Sequence, residues 1–385
     1  MDGNWSSDAL QALKLRFVRS KADEAELSED EDRLVRDFEP TFVYPIFGQE
    51  ETIFGYHNLE IQLRFASGSL RQYLHVKYDD KFPETATVKA DDPEQTLYEF
   101  IPPSYLKNSD EFAKVVEQDA KEFQPYGTKI GSIRDVDENA AANVKANGKG
   151  KGKAKSTGTT LPDRPWQIVH ADEDTSEDEV IFEAYWSNWD TPGFKEYHRR
   201  MQIFVLLYIE GAQYIDEEDP RWEFVTLQFV LTGPYQSQGY GSALYTLCYQ
   251  NLLTRPEISE LTVEDPSEAF EDMRDKCDLY TLIKAGALEN ITAPFDKSEL
   301  ETIRKRYKLA DRQFYRLVEM ILLLQLDTSN KETLKAFRLT VKRRLYLFNK
   351  ETMSQLEEQE KKDKLQETYD NVIEGYKRVS EKFSA

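Results

Sequence analysis

The chain has 385 residues, 39% of them apolar and 12% aromatic, and a net charge of −21. That length holds two or three domains with a sizeable core. The acidity argues against direct nucleic-acid binding, which rests on a basic field, and suits either a basic partner or simple solubility.

Residues 1–40 form an acidic leader in which Glu24, Glu26, Glu29, Asp30, Glu31 and Asp32 crowd together. It reads as loosely ordered, with some helix. Leu59-Glu-Ile-Gln-Leu-Arg-Phe65 then alternates apolar and polar residues, the period of a half-buried strand. Ala66–Ser69 supplies a turn, and Leu74, Val76 and Tyr78 alternate again, which predicts an antiparallel hairpin. Helices are predicted near 93–101 and 108–122. Residues 139–164 are rich in glycine and lysine and hold almost no large apolar side chain. Such a segment cannot offset its ordering entropy and reads as a disordered insertion, a linker or a basic patch.

An acidic run extends from Asp172 to Glu179. Thr191-Pro192 then reads as a helix start, with threonine as N-cap and proline at the first helical position. Phe194, Tyr197, Met201, Val205 and Tyr208 recur at helical spacing, and this helix is expected to reach about Ala212, with Glu210 near its end. Val225–Leu231 reads as a buried strand ended by Gly233-Pro234. A glycine-bearing turn leads into a helix from Ser242 to Leu253. Ile258–Val263 reads as a second strand, and Asp265-Pro-Ser-Glu268 opens another helix as a capping box. The order predicts two parallel strands with a right-handed crossover. From about 298 the chain is predicted to be all helical, with 350–380 an exposed helix.

Cys248 and Cys277 fall singly within predicted helices and make neither a disulfide framework nor a zinc site. His57, His75, His170 and His198 show no metal-ligand spacing, so no metal is expected. The strongest apolar run, Met320–Leu326, is too short to span a bilayer, and a soluble intracellular protein with no membrane partner is expected.

The segment Gln236-Ser-Gln-Gly-Tyr-Gly241 lies between a predicted strand and a predicted helix. Backbone N–H groups and a helix dipole converge at such a junction, and glycines let a phosphate approach closely. It lacks the lysine of a P-loop, and Leu244 stands where a dinucleotide fingerprint needs a third glycine. An ordinary glycine turn fits it as well as a pyrophosphate cradle does. Glu264 and Asp265 end the second predicted strand, where ligands of α/β sheets bind. A helix cap accounts for Asp265 but not for Glu264, a carboxylate placed to act as general base on an amine. A lysine of pKa about 10.4 loses its proton at neutral pH only at about 4–5 kcal/mol, so such a base is useful. Glu210, the acidic run Asp216–Asp219 and Trp222 suit cationic side chains, or form only a solvated loop.

These stretches together resemble the catalytic subunit of the type B histone acetyltransferases, within the GNAT superfamily of N-acetyltransferases. The resemblance rests on Ile46–Tyr56, Thr191–Arg200, Tyr214–Trp222, Pro234–Gly241, Leu261–Ser267 and Val341–Asn349. It implies an α/β (α+β) fold with a GNAT-type mixed central sheet flanked by helices, a β-rich N-terminal domain and a helical C-terminal domain. The layout expected is leader 1–40, substrate-binding domain 41–138, insertion 139–164, acetyltransferase domain 165–297 and helical domain 298–385.

The resemblance also implies roles. Phe229, Val230 and Leu231 would pair with the pantetheine arm of acetyl-CoA. Gln236, Ser237, Gln238, Gly239, Tyr240, Gly241 and Ser242 would hold its pyrophosphate. Glu264 would be the base, supported by Glu210 and Asp265, while Glu50, Glu51, Thr52 and Trp222 would hold the histone H4 tail. Histone H3 and a WD40-repeat histone-binding subunit are implied partners, and cytoplasmic and nuclear residence is expected. In this family a few tens of residues, a β-hairpin of the central sheet, separate the Arg-Trp-Glu segment from the strand before the glycine loop. Here Phe224 runs directly into Val225, which predicts weaker stability and peptide binding. Two alternatives stand beside the histone acetyltransferase: a non-catalytic acidic histone-binding module, and an acetyltransferase for another amine.

Overall fold

The computed structural model describes residues 5–27, 29–83, 85, 87–135, 166–170, 182–212, 214 and 230–383. The Gly/Lys insertion, the run Asp172–Glu179 and residues 225–229 of the predicted strand lie outside the described residues. The chain divides into two units, Met1–Lys129 with Tyr185–Tyr240, and Ile130–Ala184 with Gly241–Ala385.

The first unit is organised by alternation. Strand β1 (Ser6–Asp8) leads through a one-turn helix, Ala9–Ala12, into β2 (Leu13–Val18). Asp8 accepts from the N–H groups of Leu10 and Gln11 and so caps that turn. In β2, Leu13, Leu15 and Phe17 point inward while Lys14 and Arg16 stay partly solvated. The first part of the leader is therefore core strand, a correction to the loosely ordered reading. The acidic cluster that prompted that reading begins only after Val18.

β1 pairs antiparallel with β3 (Thr52–Phe54), and β4 (Tyr56–His57) pairs with a two-residue strand, β7 (Asp80–Lys81). The predicted hairpin forms as β5 (Glu60–Ala66) and β6 (Gln72–Lys77), with Leu63 opposite Leu74. β2 adds to the open edge of β5 in parallel. Phe65 and Leu74 face the main core, and Ala66 and Tyr73 face a second cluster with Phe112 and Val116 of the helix Ser109–Glu122. Ile61, Leu63 and Phe65 have no exposed surface, and each such side chain contributes about 1.5–3 kcal/mol by burial.

The helix Phe194–Tyr208 closes this core. Its Phe204 ring lies 4.7 Å from Phe65 and 5.7 Å from Phe17. Its N-cap is Gly193 in the left-handed region, not Thr191. The Thr191 hydroxyl is taken by a tight turn with Asn188 instead. The helix ends at Tyr208, which leaves Glu210 in the following turn.

β8 (Thr128–Asp135) stands between β9 (Trp166–His170) and β10 (Phe182–Trp186). None of the three was predicted. Ile133 and Trp166 pack on Ala243 and Leu247 of the helix Tyr240–Leu253. A Cβ on Gly131 would lie 2.8 Å from the Val169 carbonyl oxygen of the paired strand, so the backbone there leaves no room for a side chain.

Helices Glu268–Lys284, Lys297–Arg306, Asp311–Leu324, Lys331–Phe348 and Glu358–Ser380 follow, with a short Lys350–Ser354 between the last two. The last helix buries Tyr376 and Val379, so it is only partly the exposed helix expected. Among the described residues no helix is long and apolar enough to cross a membrane. The architecture is mixed α/β, with N-terminal sheets and a helical C-terminal region.

Candidate functional site

The glycine loop grows out of a 3₁₀ turn, Gly233–Tyr235. The Tyr235 ring lies 6.3 Å from Phe17, so the loop leaves directly from the core of the first unit. Ser237 and Gly239 then take left-handed backbone, at φ +60° and +84°. Glycine does this freely, whereas a serine there costs about 1–2 kcal/mol.

The side chain of Gln238 between them turns inward. Its Nε2 donates to the Pro234 carbonyl at 2.9 Å, and its Oε1 accepts from Arg33. Arg33 also donates through Nε to Pro234 at 3.3 Å. Among the described residues the backbone N–H groups of Ser237, Gln238 and Gly239 donate to no protein acceptor. The helix Tyr240–Leu253 begins at the next residue, with Gly241 and Ser242 in its first turn. Free donors in a left-handed loop at the positive end of a helix suit a phosphate anion.

Val230 and Leu231 belong to no strand. The Leu231 carbonyl accepts the side-chain amide of Gln236 at 2.6 Å, which occupies the group a ladder would use. Phe229 and Trp222 lie outside the described residues.

The second predicted strand, Ile258–Val263, does not form. A single bridge joins Leu261 to Leu309. The Leu261 N–H donates to the Lys308 carbonyl at 2.8 Å, and its carbonyl accepts from Arg274 Nη2 at 3.1 Å. With both groups engaged by a helix-end loop and a side chain, no neighbouring strand is recruited. Glu264 and Asp265 follow in an exposed bend, Asp265 at φ +40°. Ser267, not Asp265, is the N-cap of the next helix, accepting from the Phe270 N–H at 3.3 Å.

Behind this bend lies a buried polar network that sequence reasoning missed. Asp278 accepts from the Tyr245 hydroxyl and from Gln313, both at 2.9 Å, and lies 3.7 Å from Arg274 Nε. Gln313 also donates to Asp275, which accepts from Arg316 at 2.7 Å. Asp275 and Asp278 have essentially no exposed surface. Burial pushes the Asp278 carboxyl up to about 6 and raises Asp275 as well. Tyr245 stands one turn into the helix that follows the glycine loop. Within the second unit the network therefore ties that helix to the segment carrying Glu264. Burial pushes the Cys248 thiol up, and Cys277 is buried, so neither favours a thiolate nucleophile.

Glu50, Glu51, Thr52 and Glu210 belong to the first unit. Glu51, at φ +48°, accepts from the Tyr44 N–H at 3.2 Å and so caps the short helix Tyr44–Phe47. The Thr52 hydroxyl donates to the Glu50 carbonyl at 2.8 Å. The Tyr44 hydroxyl accepts the Gly211 N–H at 2.7 Å. Tyr44 thereby joins the Glu50–Thr52 turn to the turn that carries Glu210, and both glutamates beside this joint, Glu50 and Glu210, are exposed.

Comparison with known proteins matches residues 5–210 to the family described as "Histone acetyl transferase HAT1 N-terminus" and residues 275–327 to "Fungal HAT1, C-terminal". The chain is 43% identical to the "Histone acetyltransferase type B catalytic subunit" of Cryptococcus neoformans var. neoformans serotype D, with 97% of each chain covered. It is 39% identical to the protein so named from Mycosarcoma maydis, over 98% of this chain and 88% of the relative. It is 31% identical to that of Eremothecium gossypii, over 98% and 92%. The first alignment runs over 421 positions, more than the 385 residues of this chain, so that relative carries residues with no counterpart here.

Proposed function

Because the chain belongs to the family of histone acetyltransferase type B catalytic subunits, we propose that it transfers acetyl from acetyl-CoA to lysine ε-amines of the free histone H4 tail. The observation that carries the cofactor half of this reading is the trio of unclaimed N–H groups at Ser237, Gln238 and Gly239. They would hold the pyrophosphate, with Gln236, Tyr240, Gly241 and Ser242 completing the cradle. Phe229, Val230 and Leu231 would follow the pantetheine arm, for which Gln236 must release the Leu231 carbonyl. Acetyl-CoA supplies the activated acyl group when bound.

The chain's own residues act on the amine. Glu264 would take the ammonium proton, directly or through water, and the neutral amine would attack the acyl carbon without a covalent enzyme intermediate, the amide N–C bond forming as the thioester C–S bond breaks and CoA leaving as the thiol with the second amine proton. Asp265 and Glu210 are proposed to support that deprotonation as further proton acceptors. Glu50, Glu51, Thr52 and Trp222 receive the basic tail, to which a chain of net charge −21 is complementary. Histone H3 and a WD40-repeat histone-binding subunit are proposed partners, with cytoplasmic and nuclear residence. Radiolabel transfer from acetyl-CoA to an H4 peptide tests the reading. Transfer that is lost in Glu264→Gln supports it, and transfer unchanged by that substitution removes Glu264 as the base.

A second reading, a histone-binding module without catalysis, draws on the shorter chain and the direct passage from Phe224 to Val225. It requires H4 binding with neither acetyl transfer nor a rise in Tm on adding acetyl-CoA.

A further inference from the structure

The helix Lys331–Phe348 is strongly basic within an acidic chain. It carries Lys331, Lys335, Arg338, Lys342, Arg343 and Arg344 against one carboxylate, Glu332. Its inner side is anchored. Phe337, Val341 and Leu345 are buried, and Arg344 pairs with the buried Glu319 at 2.8 Å. Arg338 and Lys342 share Gln366 and the Tyr369 ring of the last long helix.

The outer side is more open, with Arg312 over the Phe348 ring at 4.9 Å. Lys331, Lys335 and Arg343 make no ion pair among the described residues. Leu339 is 55% exposed, Leu347 56% and Phe348 63%, with Leu334 and Tyr346 close behind. Half of the large exposed apolar side chains among the described residues thus lie on this one helix, and such a concentration marks an interaction surface. Lys335, Leu339, Arg343 and Tyr346, spaced four, four and three residues apart, form a single outward stripe that alternates cation and apolar group.

We propose that this stripe is a docking surface for an acidic amphipathic segment of a partner protein. Charge complementarity selects an acidic ligand. The interleaved Leu339, Tyr346 and Leu347 select one that brings its own apolar face, as a helix laid along a helix does. A nucleic-acid duplex would use the cations and leave the leucines in water. The surface belongs to the C-terminal helices and is independent of the acetyl-transfer reading.

The test uses the full chain and a fluorescein-labelled 18-residue peptide of glutamate and leucine with the leucines at helical spacing. A scrambled peptide of the same composition, duplex DNA and phosphatidylserine vesicles serve as competitors. Binding to the amphipathic peptide at least tenfold tighter than to the scrambled one, and weakening with salt, is expected. It should fall tenfold or more in Leu339→Ser with Arg343→Glu, and also in Leu347→Ser, with unchanged melting curves and unchanged acetyl transfer. Equal binding of the scrambled peptide, tighter binding of DNA or vesicles, or variants that bind like the wild type would overturn the proposal.

Discussion

Arg274 donates through Nη2 to the carbonyl of Leu261 at 3.1 Å, three residues before Glu264. The same guanidinium lies 3.7 Å from Asp278, which in turn accepts from Tyr245. An exposed carboxylate is thereby suspended from a buried charge network, and the network reaches the helix that starts at the glycine loop.

Arg274→Ala should therefore be strongly destabilising. It leaves the Asp278 carboxylate buried without its nearest cation, and breaking one side of a buried pair costs about 3–5 kcal/mol. Urea unfolding reads this as a lower midpoint with an unchanged slope. Arg274→Lys keeps the charge but not the planar reach to Leu261. It should retain most of the stability while kcat falls more than the KM for acetyl-CoA, if Glu264 is placed through this contact.

Asp278 gives the fold a distinctive response to pH. Burial raises its folded pKa to about 6 from an ordinary value near 3.8. Between these values the folded state holds a proton that the unfolded state has released. This group's contribution therefore falls as pH rises from about 4 to about 6, then levels. Asp278→Asn removes the titration. Its Tm relative to wild type should rise across that window and stay flat from pH 7 to 8. A constant difference from pH 4 to 8 would exclude Asp278 as the titrating group.

What the sequence made legible follows from how local each signal is. The hairpin β5–β6 was readable because Ile61, Leu63 and Phe65 face a core while Glu60 and Arg64 do not. Leu13-Lys-Leu-Arg-Phe17 carries the same alternation, yet the acidic cluster after it coloured the whole leader. Arg33 and Gln238 meet across 205 residues of chain, and Tyr245 and Asp278 across 33. No spacing rule connects such pairs. Glu264 was legible as a carboxylate unexplained by capping, but the buried groups that hold its segment were not.

The glycine loop makes a separable prediction. Gly239 sits at φ +84°, where a side chain costs about 1–2 kcal/mol. Gly239→Ala should raise the KM for acetyl-CoA several-fold and reduce the acetyl-CoA-induced rise in Tm. Arg33→Ala removes one of the two contacts that hold the Gln238 side chain, leaving its bond to the Pro234 carbonyl, and should act in the same direction without touching the loop's own sequence. Isothermal titration with acetyl-CoA measures both. Unchanged affinity in both variants would show that the cofactor does not depend on this loop's backbone.

Glu264→Gln separates base chemistry from binding. The glutamine preserves size and hydrogen-bonding reach but cannot take a proton, so kcat should fall by about 10²–10⁴-fold, with H4-peptide KM changed much less. The pH profile carries the sharper reading. In the variant only the fraction of substrate already neutral reacts, and with a lysine pKa of about 10.4 that fraction grows about tenfold per pH unit near neutrality. The variant's rate should therefore climb with unit slope from pH 7 to 9 and recover part of the deficit. A variant with the wild-type profile merely scaled down would assign Glu264 to positioning, and the proton would then have to leave through Glu210, Asp265 or water.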